Sequence, residues 1–569
     1  MTNLEISLVL KEISELMELK GENYYKFRAY RQGARQIEKL SEEITRLVQE
    51  NRMRQVPRIG EGIAKTVEEV VRTGRSTLLE ELRSEVPTGL RRILGIPGIG
   101  VKSSHKLFEE LKISTVKELK KACEEGKIKD HPGFGEKFQQ KVLEGISKLE
   151  NAEKTTLLGI ALPMSESIVK KILSFSEVTN AEITGSVRRR MEVVEDIDIL
   201  VETTEPEKVK EHITELPAVY QVLDEKDHVL SVLNTVGIKV EFYFTTPKIF
   251  HYNLLISTGN EQHINRLMSV ASKQGVKLER DGLYKNNKLI DIYSEQEVYD
   301  KINLPYIAPE LREGRGEIEG AMEKNLPNVV KKSEIKGDLH IHTNWSDGAS
   351  SLEDMIDIAK QYEYQYIAIT DHSQSLKIAS GLSKEQLEKQ IEKINVLNEK
   401  NSGIRILSGV EVDILRDGTL DFHNHILEQL DFVIASIHQG FQDSGVIITK
   451  RICQAMENPY VKAIAHPTGR IIGKRKEFNL DFKKIFQKAN ETNTAIEINS
   501  SIDRLDLSER YLSSAKEYDV KFLINTDAHS VVALRDINYG LYVARRAWLT
   551  PEQIINTYDL NDFMTWLSD

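Results

Sequence analysis

The chain has 569 residues, with 77 Lys and Arg against 88 Asp and Glu, a formal net charge of −11. At roughly 150 residues per domain it spans about three to five domains, and 40% hydrophobic with 29% charged residues excludes a mainly disordered chain. Two cysteines, Cys123 and Cys453, exclude a disulfide framework and a cysteine zinc cluster, and the lack of a membrane-length apolar run or a signal-like start points to a cytoplasmic protein.

The charge is uneven along the chain. Residues 1–150 carry 28 basic and 24 acidic residues, a net of +4, which leaves −15 for the remainder. A mildly basic front suits contact with phosphate backbones. In this front, helical periodicity is broken three times by the same short pattern: VPRIGEGIAKTV at 56–67, GIPGIGVKSSHKL at 95–107 and HPGFGEKFQQKV at 131–142. Each places a G-x-G (Gly60 and Gly62, Gly98 and Gly100, Gly133 and Gly135) before an amphipathic helix, with Lys65, Lys102 or Lys137 close behind. The repeats resemble the helix-hairpin-helix motif. Its glycines allow a tight turn, and the following helix offers backbone N–H groups to a DNA phosphate without reading sequence.

Between about 155 and 315, helices alternate with strand-like runs. GSVRRRMEVVEDID at 185–198 puts Gly185 and Ser186 in a small turn, Arg189 beside it, and Asp196 and Asp198 on one strand face. Backbone N–H groups of the turn and Arg189 suit a triphosphate, and two such carboxylates suit Mg²⁺ or Mn²⁺ in phosphoryl transfer. A polar segment at 316–335 reads as a linker.

After it the pattern becomes regular: seven apolar strand candidates, mostly separated by helices, the signature of a β/α barrel. Six of the seven end in possible ligands, namely His340, His342, Asp347, His372, Glu411, His438, His466, Asp527 and His529. H-x-H and D-x-H on a strand aim two side chains at one point. Six imidazoles and three carboxylates exceed one ion's needs and suit two or three Mn²⁺, Zn²⁺ or Fe²⁺ ions, with Glu411 as a bridge. Asn499 stands at the strand without a ligand, Arg470 is a phosphate-binding candidate, and His423 and His425 read as surface residues.

This C-terminal pattern, over 336–569, resembles the PHP (polymerase and histidinol phosphatase) domain, which implies a distorted (β/α)₇ barrel that hydrolyses phosphoesters. The whole chain is similar to the family X DNA polymerases of DNA polymerase beta type, in their bacterial and archaeal form (PolX) with an appended PHP domain. The resemblance implies a multidomain fold: an all-α helix-hairpin-helix region at 1–85 and 86–150, an α+β nucleotidyltransferase palm at 151–245 and thumb at 246–315, and the barrel at 336–569. It implies a metal-dependent 3′–5′ exonuclease joined to a polymerase core for gap filling and base excision repair. Expected partners are gapped, primer–template or single-stranded 3′ DNA and a dNTP, with the protein monomeric, cytoplasmic and nucleoid-associated. A phosphatase of small phosphomonoesters and a non-catalytic DNA scaffold are the alternatives.

Departures from the family pattern gather in the palm. Arg190 stands where the family has Gly, Glu195 where a Gly precedes the first catalytic Asp, and Glu241 where the third carboxylate is Asp, with Tyr243 for the following Arg. Ile256 and Ser257 replace the Tyr-Phe pair that packs on the incoming sugar, and Ile264 replaces a minor-groove Asn. These changes imply a partly degenerate polymerase site (Asp196, Asp198, Glu241) with weakened or lost synthesis. The lyase lysine of some relatives aligns with Thr66, beside Lys65, which implies weak or absent lyase activity.

Overall fold

The computed structural model describes residues 3–568 except 39, 41, 87, 95, 97–98, 153–154, 280 and 401–402; the side chains of 88, 91–92 and 147–152 also lie outside the description. The chain divides into two compact units, Met1–Thr258 with Gly275–Val298, and Gly259–Gln274 with Tyr299–Asp569. Among the described residues no helix is long and apolar enough to cross a membrane.

The first unit opens with helices packed on Leu10, Ile13, Ile37, Val67, Leu107 and Leu119. A buried carboxylate is tolerated there because it is paired: Glu12 receives Arg83 Nε at 2.8 Å and Nη2 at 2.9 Å. A five-stranded sheet follows, in the order Val178–Ile183, Ile197–Thr203, Lys239–Thr245, Val229–Asn234, Val219–Lys226. Only the second and third of these pair in parallel, and their register sets Asp198 opposite Glu241.

The second unit is built on seven parallel strands in sequence order: Gly337–Ile341, Tyr366–Ile369, Arg405–Asp413, Phe432–Ser436, Val461–Ile464, Ala495–Asn499 and Phe522–Asn525. All seven are almost wholly buried, as expected where helices cover a parallel sheet. Closure comes from the first and last strands: His342 N donates to Ala528 O at 2.9 Å, and Ala528 N to His340 O at 3.3 Å. The end of the barrel away from the strand C-termini is filled by the helix Leu560–Ser568. Its buried Phe563 stacks on Tyr366 with centroids 4.2 Å apart and planes 7° from parallel, packing with Leu339, Phe432 and Leu523.

The segment read as thumb, 246–315, is divided between the two units, and the segment read as a linker contains the helix Glu317–Met322. Glu317 is fully buried; its carboxylate accepts from Gly314 N at 2.8 Å and Arg315 N at 2.6 Å and faces His263 Nδ1 at 2.7 Å. Arg545 binds Glu310 at 2.9 Å and Arg546 binds Glu313 at 2.9 Å, which anchors this stretch to the helix Ile537–Arg546. Within 316–335 Glu317 is thus an internal group, while Glu319, Glu323, Lys324, Lys331 and Lys332 are exposed, as the polar composition suggests.

Phe563→Ala removes a stacked ring from a closed core, a change that costs about 3–5 kcal/mol. Scanning calorimetry should show the transition of the second unit lowered by several degrees and that of the first unit unmoved.

Candidate metal centres and nucleic-acid contacts

The nine strand-end residues converge at one mouth of the barrel. Fully buried Glu411 lies at its centre, with His372 Nδ1 at 2.7 Å, His466 Nε2 at 3.0 Å, His340 Nε2 and His438 Nε2 at 3.5 Å, and His342 Nε2 at 3.6 Å. Asp527 Oδ1 lies 3.1 Å from His342 Nε2 and 3.6 Å from His340 Nε2. Asp347 closes the outer side, 3.4 Å from His529 and 3.6 Å from His372. Three sets place their ligand atoms within 4.8 Å of one another: His342, Asp347, His372 and His529; His340, His342 and Asp527; His372, Glu411 and His438. Shared His342 and His372 link the sets into one cluster. Two ligands, His466 (φ 25°) and Asp527 (φ 54°), hold left-handed backbone, a conformation that persists where surrounding structure enforces it.

A second row of carboxylates aims the rings. His340 Nδ1 meets Glu497 Oε1 at 2.7 Å and His438 Nδ1 meets Asp413 Oδ1 at 2.7 Å. Glu497 also accepts from His466 N at 2.8 Å, Asn499 Nδ2 at 3.0 Å and Asn525 Nδ2 at 3.1 Å. Asn499 donates further to Asp527 Oδ2 at 3.1 Å. Close as these groups lie, buried inward-facing atoms make no hydrogen bond among the described residues: His340 Nε2, both ring nitrogens of His342 and Glu411 Oε2. Lone pairs aimed at one point, with the opposite ring nitrogens of His340 and His438 held by carboxylates, fit divalent metal ions.

The electrostatics show how strongly these groups are coupled. Burial and the rings of His529 and His372 push His342 down to about 3. Burial opposes charge on His529, yet Asp347 and Asp527 outweigh it and lift the ring to about 9. Glu411 and Asp527 are likewise held well below the usual carboxylate range, against burial, by the surrounding imidazoles. Such a set titrates as a unit.

Arg470 lies beside the mouth, but its Nε donates to Arg504 O at 2.7 Å and its Nη2 to Leu505 O, so it braces a loop. His423 and His425 are exposed.

In the first unit Asp196, Asp198 and Glu241 also bring oxygens within 4.8 Å. Protein donors already reach them. Lys239 Nζ lies 2.8 Å from Glu241 and 3.3 Å from Asp196, and Glu241 accepts from Tyr243 OH at 2.6 Å and Ser231 Oγ at 2.8 Å. Gly185 has φ +59°, and a Cβ there would fall 1.9 Å from Asp198 Oδ2, so a side chain is excluded. Ser186 follows it in the same short helical turn, Gly185–Arg188. Arg189 Nη1 donates to Thr258 O at 2.8 Å, while Arg188 grips buried Glu295 at 2.9 and 2.6 Å. Arg190 adopts φ 59°, keeping the glycine-type conformation without the glycine. Ser257 binds Thr184 Oγ1 at 2.7 Å, Ile264 is buried, and Glu195 is exposed.

In the helical front, Gly60 and Gly100 occupy the N-cap positions of the helices Glu61–Thr73 and Val101–Leu111, and Gly135 precedes Glu136–Ala152. A Cβ at Gly60, Gly100 or Gly135 would meet nothing within 4 Å, so these sites face open space where a phosphate could approach the backbone. Gly62 lies in the first turn of its helix, Gly133 has φ +90°, and Lys102 and Lys137 are exposed. Gly98 lies outside the described residues. Thr66 is buried, 3.1 Å from Tyr30 OH, and Lys65 points to the surface, 3.3 Å from Glu61.

Comparisons with known proteins agree with this layout. Family models match a helix-hairpin-helix domain at 1–76, a SAM-like helix-hairpin-helix tandem at 90–148, a DNA polymerase beta thumb at 253–313 and a PHP domain at 338–501. The DNA polymerase/3′–5′ exonuclease PolX of Bacillus subtilis (strain 168) is 36% identical over 99% of both chains. A protein of Thermoanaerobacter sp. (strain X514), named a probable phosphatase, is 34% identical over 39% of this chain and 89% of its own length. Another so named, from Syntrophotalea carbinolica, is 27% identical over 40% of this chain and 92% of its own.

Glu497→Gln should weaken manganese affinity about 10–100-fold, the range for an outer partner of a metal-binding histidine, as read by chelator competition. In the palm, burial and the charges of Asp196 and Glu241 push Asp198 up to about 7 from an ordinary 3.8. The unfolded chain thus releases this proton at lower pH than the folded one, and stability falls as pH rises through that window. In chelator, Asp198→Asn should flatten the decline in the first unit's melting temperature between about pH 4 and 7.

Proposed function

The chain belongs to the PolX family of DNA polymerase/3′–5′ exonucleases, and from that premise we propose that its barrel removes nucleotides from DNA 3′ ends during repair. The observation carrying this reading is the nine-residue cluster joined to helix-hairpin-helix and thumb segments. A phosphatase of small molecules has no use for those DNA-contacting parts, and a scaffold has none for the cluster. His340, His342, Asp347, His372, Glu411, His438, His466, Asp527 and His529 would hold two or three ions, Mn²⁺ or Zn²⁺. When bound, these supply Lewis acidity to water and charge neutralisation to the phosphate.

The protein's own part is orientation. Glu497 and Asp413 fix the rings of His340 and His438, and Asn499 steadies Asp527. The hydrolysis joins a water oxygen to phosphorus and breaks the P–O3′ bond. The 3′ oxygen leaves with a proton, and a 5′-mononucleotide departs. Gly60, Gly62, Gly98, Gly100, Gly133 and Gly135, with Lys102 and Lys137, would hold the DNA backbone without sequence preference.

The palm reading is separate. Asp196, Asp198 and Glu241 would take Mg²⁺ or Mn²⁺, and Gly185, Ser186 and Arg189 a dNTP, but Lys239 and Tyr243 already engage the carboxylates, and the sugar-facing pair is absent. Synthesis is therefore weak or lost. The protein acts as a cytoplasmic, nucleoid-associated monomer.

A 5′-labelled primer on a gapped template, with Mn²⁺ and all four dNTPs, tests both readings. Wild type should shorten the primer, and Asp527→Ala should do so more than about 100-fold more slowly, beyond the effect of an outer-shell change. Neither should extend it. Extension by the variant would overturn the palm reading, and faster turnover of p-nitrophenyl phosphate than of DNA would favour a phosphatase.

A further inference from the structure

We propose that Arg504 binds the substrate phosphate at the barrel mouth, an inference that rests on the phosphoesterase reading of the cluster. Six strands deliver ligands to the mouth. The remaining one, Ala495–Asn499, delivers Asn499 and then a loop carrying Arg504. Arg504 Nε lies 3.6 Å from Asp527 Oδ2, on the carboxylate oxygen facing away from His342, and the side chain is only 19% exposed. That separation is too long for a hydrogen bond, and the same oxygen already accepts from Asn499 at 3.1 Å. Arg504 Nη1 is enclosed and has no hydrogen-bond partner among the described residues.

An enclosed guanidinium nitrogen with an unmet N–H is costly unless a partner arrives. Its planar fork matches two phosphate oxygens, and beside Asp527 it is placed to face a phosphate held at the cluster. The loop is set before any ligand binds. Arg470 donates to the carbonyls of both Arg504 and Leu505, and Asn499 N donates to Asp506 O at 2.6 Å. Arg470 is thus a positioning residue, and the arginine that touches phosphate is the one whose backbone it holds.

The test uses the full chain loaded with manganese. Calorimetry with inorganic phosphate, manganese content, and kcat and KM on single-stranded DNA are measured for wild type, Arg504→Gln and Arg504→Lys. Arg504→Gln should bind phosphate at least tenfold more weakly with manganese content unchanged, Arg504→Lys should fall between, and added guanidinium should partly restore DNA cleavage by Arg504→Gln. Phosphate affinity within twofold of wild type overturns the proposal, as does manganese lost along with the arginine, which would make Arg504 a prop for Asp527. Wild type that binds no phosphate overturns it too. Wild type that binds phosphate through Arg504 yet spares DNA refutes the nuclease reading and leaves this one standing.

Discussion

One buried carboxylate organises the C-terminal unit. Glu411 has no exposure to water and has imidazole nitrogens from five histidines within 3.6 Å. An isolated carboxylate at that depth would cost several kcal/mol, so Glu411 requires the rings, and the rings require strands that end together. Barrel closure between Ile341 and Ala528 supplies that coincidence by bringing the first strand's H-x-H beside the last strand's D-x-H. The strained backbone at His466 and Asp527 follows from the same demand, since each must turn its side chain inward just past a strand end.

The two carboxylate sites answer the same physical problem in opposite ways. In the barrel the Nδ1 atoms of His340 and His438 are turned outward to Glu497 and Asp413, and Glu411 Oε2, though ringed by imidazoles, makes no hydrogen bond among the described residues. In the palm the donors stand inside the site: Lys239 spans Asp196 and Glu241, and Tyr243 caps Glu241. A fully satisfied polar network gains less from an ion than an unsatisfied one, because the ion must displace bonds already made. The barrel is therefore the better prepared of the two for a cation.

Much of the barrel was legible in the sequence because ligands fall at strand ends, where period-two alternation and proximity in sequence carry the signal. Its outer row was not. Glu497 lies mid-strand among apolar residues and meets His340 across 157 positions, and no local pattern announces such a pairing. The sequence singled out Arg470, and not Arg504, as a phosphate ligand for a related reason. Both are arginines just beyond strand ends, and only the carbonyls that Arg470 reaches separate a brace from a guanidinium facing Asp527. Around the segment read as a linker two acids were equally opaque: Glu313, just before it, and Glu317, within it, look solvated in sequence, yet both are spent on internal pairs.

The palm shows how a site can keep its frame while its chemistry shifts. Gly185 cannot change because Asp198 fills the space of its missing side chain. Arg190 did change, and the chain still holds φ 59° there, accepting a strain of about 1–2 kcal/mol for a residue with a Cβ. The turn is thus fixed by what surrounds it: Arg188 locked to Glu295, Arg189 to the Thr258 carbonyl, and Thr184 to Ser257. These bonds stabilise the fold whether or not a nucleotide binds. Likewise removing Glu241 would take from Lys239 and Tyr243 their nearer partner, leaving Asp196 at 3.3 Å and Asp198 at 3.4 Å, so the carboxylate stabilises this corner even without an ion. A recognisable triad is accordingly weaker evidence of synthesis than the barrel's unsatisfied atoms are of metal binding.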